Sequence, residues 1–206
     1  IFSFYQAIEN VDFRQSLQDL AEKVGVKLET MKQPSIKKDE KDRLRECLEC
    51  TLKFYRANLK SSESAQAYLK ERQIPPEQLE KFRLGLAPDS FSDTYSHLLK
   101  EGFSQSEIIK AGMGIQKEIE GKIYDRFRNR LMFPIADHQG TVIGFGGRTL
   151  GEDDAKYINS AESPLYNKST VLYGLDLAKE ATRKTKKVIL VEGYFDVLAC
   201  HRVGVE

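Results

Sequence analysis

The sequence has no long hydrophobic run. No apolar stretch approaches the roughly 18–20 residues that cross a bilayer as a helix, so a helical membrane span is excluded. It has almost no net charge: 32 Lys and Arg against 31 Asp and Glu leave +1. No global basic field argues for nucleic acid, and any such case must come from local patches. There are only three cysteines; kept reduced, they suit an intracellular protein. Internal repeats and low-complexity tracts are absent. So are the P-loop spacing G-x-x-x-x-G-K-[ST] and the full Rossmann fingerprint. The chain also lacks a leading Met, and Ile1-Phe2-Ser3-Phe4-Tyr5 reads as the middle of something longer. The expectation is an internal fragment, open at both ends, with targeting signals out of view.

What is present begins with helical patterning. Residues 1–30 carry two short apolar stripes, Phe4, Ala7, Ile8 and then Phe13, Leu17, Leu20, Ala21, Val24, closed by Gly25. Residues 30–40, with Pro34 and several lysines, read as a linker. A long helix is expected over 41–59. Shorter helices follow over 63–72, 76–82, 95–100 and 105–110, with a short strand and turn at 84–88. Cys47 and Cys50 form a C-x-x-C pair inside the long helix, with no second Cys or His pair close by. Small core residues are a better reading of them than zinc or redox chemistry. Beyond residue 112 the pattern turns to strands: 113–118, 122–124 and 130–135, then a hairpin turn at 137–140 and a partner strand over 141–148. A short extended piece at 156–159 and a helix over 175–183 complete this region.

The most informative segment is Lys187-Val188-Ile189-Leu190-Val191-Glu192-Gly193-Tyr194-Phe195-Asp196-Val197-Leu198. A β-branched run ends in a carboxylate and a glycine, then passes into a helix. That run reads as a buried strand of a parallel sheet, with Glu192 at its carboxyl end, where open α/β sheets place ligand chemistry. Glu192 and Asp196 are the acidic candidates, able to bind a divalent metal or exchange a proton. Capping of the next helix is an equally good reading of Glu192. Upstream, Asp125-Arg126-Phe127-Arg128-Asn129-Arg130 puts Arg126, Arg128 and Arg130 at alternate positions, which share one face of an extended chain. Such a row either grips phosphate or protects an edge strand with charge. Gly144-Phe145-Gly146-Gly147-Arg148 has backbone a ligand can approach. Lys156, Tyr157, Asn159 and Lys168 add cations, a ring and an amide. Together they supply charge for phosphate and rings for bases, as single-stranded nucleic acid or a nucleotide requires.

At these motifs the chain resembles the bacterial-type DNA primases. The segment 191–197 is similar to the first acidic motif of a Toprim domain. Residues 125–135, 142–148, 156–160 and 172–175 resemble the primase basic motifs in order, and 84–88 an earlier one. The first 30 residues resemble the helical tail that follows the primase zinc-ribbon domain, whose ligands are not in this sequence. The resemblance implies an α+β N-terminal subdomain, helices plus a small, mostly antiparallel sheet, followed by the truncated beginning of an α/β Toprim domain. The implied division is 1–39 tail and linker, 40–167 N-terminal subdomain, 168–206 start of Toprim.

The same resemblance implies DNA-directed synthesis of short RNA primers on single-stranded DNA during replication, from ribonucleoside triphosphates. Glu192 takes the place of the Toprim glutamate, as metal ligand or acid/base, in a site for Mg2+ or Mn2+ shared with a downstream D-x-D pair. Arg126, Arg128, Arg130, Arg148, Lys156, Tyr157, Asn159, Lys168, Tyr194 and Asp196 take nucleotide- or DNA-binding places. Zn2+ belongs to the zinc-ribbon domain, outside this sequence. The implied partners are a replicative helicase and a single-strand-binding protein within a primosome. The implied compartment is the bacterial cytoplasm, at the nucleoid, or an organelle. The D-x-D pair is not in the sequence, so these residues alone are expected to be inactive in priming. Two other readings stay open: a Toprim nuclease or topoisomerase, and a non-catalytic single-stranded-DNA-binding module.

Overall fold

The structure is a computed structural model that describes residues 38–117 and 121–205, together with Tyr5, Ser16, Leu17, Leu20, Ala21, Lys23 and Val24. The chain divides into two units, Ile1–Ser35 and Ile36–Glu206. In the first, Tyr5, Ser16, Leu17, Leu20, Ala21 and Lys23 are helical, and the Lys23 ammonium lies 4.8 Å from the centroid of the Tyr5 ring. The rest of the expected helical pair and most of the linker lie outside the described residues.

The second unit is α+β. Helix α1 (Lys38–Ser61) starts three residues before its expected position and runs about 36 Å at 1.5 Å per residue. Leu44, Cys47, Leu48, Thr51, Leu52, Tyr55 and Leu59 recur at three- and four-residue spacing, and all are buried. Asp39 and Glu40 in its first turn and Lys60 in its last suit the helix dipole. Cys47 is fully buried, and burial pushes its thiol up to about 12. That is the environment of an inert core thiol. Cys50 Sγ sits 3.7 Å from His97 Nε2.

Four short helices and a strand follow: α2 (Glu63–Glu71), α3 (Pro76–Lys81) and β1 (Gly85–Ala87), then α4 (Asp93–Lys100) and α5 (Gln105–Lys110). Ser104 and Glu107 close a capping box at the start of α5. Arg43 of α1 donates to the same Glu107 carboxylate at 2.9 Å. These bonds hold the carboxyl at about 2, below the usual range.

Strands β2 (Gly114–Gln116) and β3 (Ile123–Asp125) form a two-stranded antiparallel ribbon. Asp125 ends it and is fully buried. Its two carboxylate oxygens accept from the backbone N–H groups of Thr94 and Tyr95, each at 2.8 Å. A strand residue therefore caps the N-terminus of α4 across the fold, satisfying donors that no local side chain reaches.

The main sheet contains β4 (Arg130–Ala136), β5 (Val142–Thr149) and β6 (Tyr157–Asn159) in the order β1-β4-β5-β6, all antiparallel. Every position of β4 is buried, because helices cover one face and the C-terminal segments the other. The hairpin turn falls where expected, with Gly140 at φ +87°. Helices α6 (Leu175–Thr185) and α7 (Tyr194–Arg202) follow.

The run 188–191 departs from its sequence reading. It pairs with no strand among the described residues, and Val188, Ile189 and Leu190 are 62%, 65% and 75% exposed. A strand of a parallel sheet has a paired neighbour and covered faces. None of the strands described here lies beside it.

Candidate functional site

The arginine row does not hold as an extended face. Residues 126–129 leave the strand, Phe127 is buried, and Asn129 turns the chain at φ +47°. The three guanidinium groups therefore separate. Arg130 turns inward and is 5% exposed. It donates to the carbonyls of Gly147 at 3.4 Å and Ala155 at 3.0 Å, and pairs with Asp153 at 2.6 Å. Its bonds are all internal, so a phosphate-binding place for it is not what the geometry offers. Arg126 is half-buried, and burial lowers its pKa. Its Nε and Nη2 both reach the backbone carbonyl of Asn159, at 3.0 and 2.5 Å. Arg128 donates to the Asp125 carbonyl at 2.6 Å and lies 4.8 Å over the ring of Phe91.

Phe91 was not singled out in the sequence. It sits in the loop before α4 and is 62% exposed. It meets Tyr124 edge-on at 5.9 Å, and Lys117 lies 5.5 Å over Tyr124. A large ring left in solvent beneath a guanidinium can offer a stacking face with a cation able to meet a phosphate beside it. The only sequence signal was an aromatic residue inside the polar stretch Pro88-Asp89-Ser90-Phe91-Ser92-Asp93.

A second group of candidates gathers around α7. Tyr157, Asn159, Glu192, Tyr194 and Asp196 line one cavity of about 660 Å³. The Tyr194 hydroxyl donates to Asn159 Oδ1 at 2.7 Å, and its ring stacks on Phe133 at 4.7 Å. Burial raises the phenol's pKa, so it serves as a neutral donor. Asn159 thus holds Arg126 through its backbone and Tyr194 through its side chain, and joins the two groups of candidates. Arg148 is 9% exposed, with its guanidinium 4.9 Å from the Tyr68 ring, 5.7 Å from Phe195 and 6.0 Å from Tyr157. Lys156 and Lys168 are exposed at the surface.

The glycines of 144–147 are occupied by the protein itself. Gly144 faces the Tyr166 ring, Gly146 the Tyr194 ring, and Gly147 Phe127 and Arg130. Their missing side chains make room for packing partners, where the sequence suggested a ligand's approach.

Asp196, not Glu192, caps the following helix: its carboxylate accepts from the Gly193 N–H at 3.0 Å. Glu192 is exposed at the cavity's edge. No group of three or more His, Cys, Asp or Glu able to hold a metal ion occurs among the described residues. One exposed carboxylate beside one committed to a cap falls short of the set that clamps a pair of divalent ions. By themselves these residues do not fit such a centre. No helix among the described residues is long and apolar enough to cross a membrane.

Comparison with known proteins gives these surfaces a context. Residues 54–179 match the family described as the DNA primase catalytic core, N-terminal domain. A DNA primase of Halalkalibacterium halodurans is 38% identical over 208 residues, covering 99% of this chain and 35% of that protein. The RNA polymerase domain of Mycobacterium tuberculosis primase, solved with a double-stranded DNA bearing a 6-nucleotide overhang, superposes with a TM-score of 0.75 at 38% identity, covering 80% of this chain and 52% of that one. A primase catalytic domain bound to single-stranded DNA gives 0.74 at 35% identity, covering 81% and 52%. The chain spans about a third of the curated relative's length and half of each solved domain. By the family match and these likenesses, the chain belongs to the bacterial-type DNA primases.

Proposed function

We propose that this chain is the template-gripping part of a primase that makes short RNA primers on single-stranded DNA from ribonucleoside triphosphates. The observation that carries the reading is the exposed Phe91 ring under Arg128, tied through Asp125, Arg126 and Asn159 to the cavity that Glu192 borders. A base stacks on the ring while the guanidinium takes the neighbouring phosphate. Two solved relatives contain DNA, which supports the same reading. Tyr157, Arg148, Lys156 and Lys168 are assigned to the nucleotide side, and Asn159 and Tyr194 to positioning.

Glu192 is assigned to a site for Mg2+ or Mn2+ whose other carboxylates are not among the described residues. When bound, such an ion would supply positive charge for phosphoryl transfer. The chain's own residues orient the strand and hold the Glu192 loop. Residues 40–167 are assigned to the N-terminal subdomain, 168–206 to the opening of a Toprim domain, and 1–39 to a tail following a zinc-binding ribbon. A replicative helicase and a single-strand-binding protein are the proposed partners, and the bacterial replisome the proposed location.

The test is fluorescence anisotropy with a labelled single-stranded oligonucleotide. Phe91→Ala is expected to weaken binding by about 1–3 kcal/mol with an unchanged salt slope. Arg128→Ala should flatten the slope of log K against log salt by about 0.7. Wild-type behaviour in both variants would remove the support for this surface.

A further inference from the structure

A separate recess of about 730 Å³ opens between the last turns of α1, helix α2 and helix α3. Its floor is aliphatic: Leu59, Leu69 and Leu84 are nearly fully buried there, with Leu79 beside them and Pro75 and Pro76 as a wall. No aromatic ring lines it. Its rim carries Arg56 and Lys60 from α1 and Lys70 from α2, against one acid, Glu80 of α3. Arg56 ion-pairs with Glu80, and Lys60 approaches it at 3.7 Å. Three cations against one acid leave the rim with two positive charges in excess. None of these residues belongs to the Phe91–Arg128 surface or to the cavity at Glu192.

We propose that this recess docks a short acidic segment of a partner protein, which inserts a large apolar side chain while its carboxylates meet Lys60 and Lys70. This goes beyond primer synthesis and does not depend on it. The half-buried Leu79 and the proline wall supply what an apolar anchor needs: aliphatic surface that sheds water at about 25 cal/mol per Å² when covered. The rim supplies steering and sets the sign of the partner. A basic segment is repelled there. Nucleic acid is disfavoured because no ring offers a stacking face for its bases.

The test uses a fluorescein-labelled twelve-residue peptide with two leucine pairs set among glutamates, titrated into the full-length protein. Control peptides replace the glutamates with lysines, or the leucines with alanines. Two variants probe the recess: the double change Lys60→Glu with Lys70→Glu at exposed rim positions, and Ala67→Trp, which plugs the mouth from an exposed site on α2. The expected result is binding of the acidic leucine peptide only, weakened about tenfold or more by the charge reversals and by the plug. Primer synthesis on bare template should stay at the wild-type level in both variants. Three results would overturn the proposal. The first is no peptide binding by about 1 mM protein. The second is affinity that ignores both variants or matches that of the lysine control. The third is self-association that Ala67→Trp abolishes, which would give the recess to a second copy of the chain.

Discussion

The ring of Tyr194 occupies the space in which a side chain on Gly146 would have to stand. The β5 backbone and the first residue of α7 are in contact because one of them has no Cβ. Gly146→Ala is therefore expected to push Tyr194 off Phe133 and to cost about 1–3 kcal/mol by overpacking. Tyr194→Phe keeps the ring but leaves Asn159 Oδ1 without its donor, at about 1 kcal/mol. Urea denaturation of both variants checks the pair. A Gly146→Ala protein as stable as the wild type would mean that α7 is free to shift.

Arg128 and Arg130 are two residues apart and lie in different surroundings, one over the exposed Phe91 ring and one bonded inside the fold. Removing the Arg130 side chain strands the carbonyls of Gly147 and Ala155 and leaves Asp153 unpaired. Arg130→Ala should lose about 1–3 kcal/mol of stability, whereas Arg128→Ala should lose DNA affinity and little stability. Equal melting temperatures for the two variants would contradict this division.

Glu107 sets an acid limit on the α1–α5 contact. Its carboxyl is depressed to about 2 by the Ser104 backbone bond, Arg43 and the Ser104 hydroxyl. A depressed carboxyl contributes stability that is fully present above its ordinary value of 4.5 and is lost as pH falls through about 2. Denaturation midpoints measured from pH 5 down to 2 should fall less steeply for Glu107→Gln than for the wild type. Parallel curves would show that the capping box carries no such linkage.

Glu192 is exposed, so Glu192→Ala is expected to leave stability and single-stranded DNA affinity unchanged. In the full-length protein, template-dependent primer synthesis should be lost. Retained synthesis would favour a non-catalytic role for this carboxylate. The 206 residues alone are expected to make no primers, and robust RNA synthesis from them would refute that expectation.

Much of the fold is legible from spacing. The stripe from Leu44 to Leu59 specifies a buried helix by its period, and the turn at Gly140 specifies the β4–β5 hairpin by its chemistry. Those signals are local. What spacing did not reveal depends on partners far along the chain. The arginines of 126–130 alternate in sequence, but Phe127 packs inward and Asn129 reverses the chain, so their shared face is lost. The glycines of 144–147 face rings contributed by Tyr166, Tyr194 and Phe127, and only tertiary packing reveals that. The apolar run 188–191 has the composition of a buried strand, yet pairing is a property of two segments. The candidate site was legible as a set of residue types. Its division into a Phe91–Arg128 surface and a carboxylate cavity, with Asn159 between them, was not.

Asp125 closes two circuits at once: its carboxylate holds the first amides of α4, and its carbonyl holds Arg128. Under the proposed function, a phosphate that immobilises Arg128 would tighten the residue that caps α4. Template occupancy and the melting of that helix become linked quantities, so the protein is expected to be hardest to unravel while it is loaded.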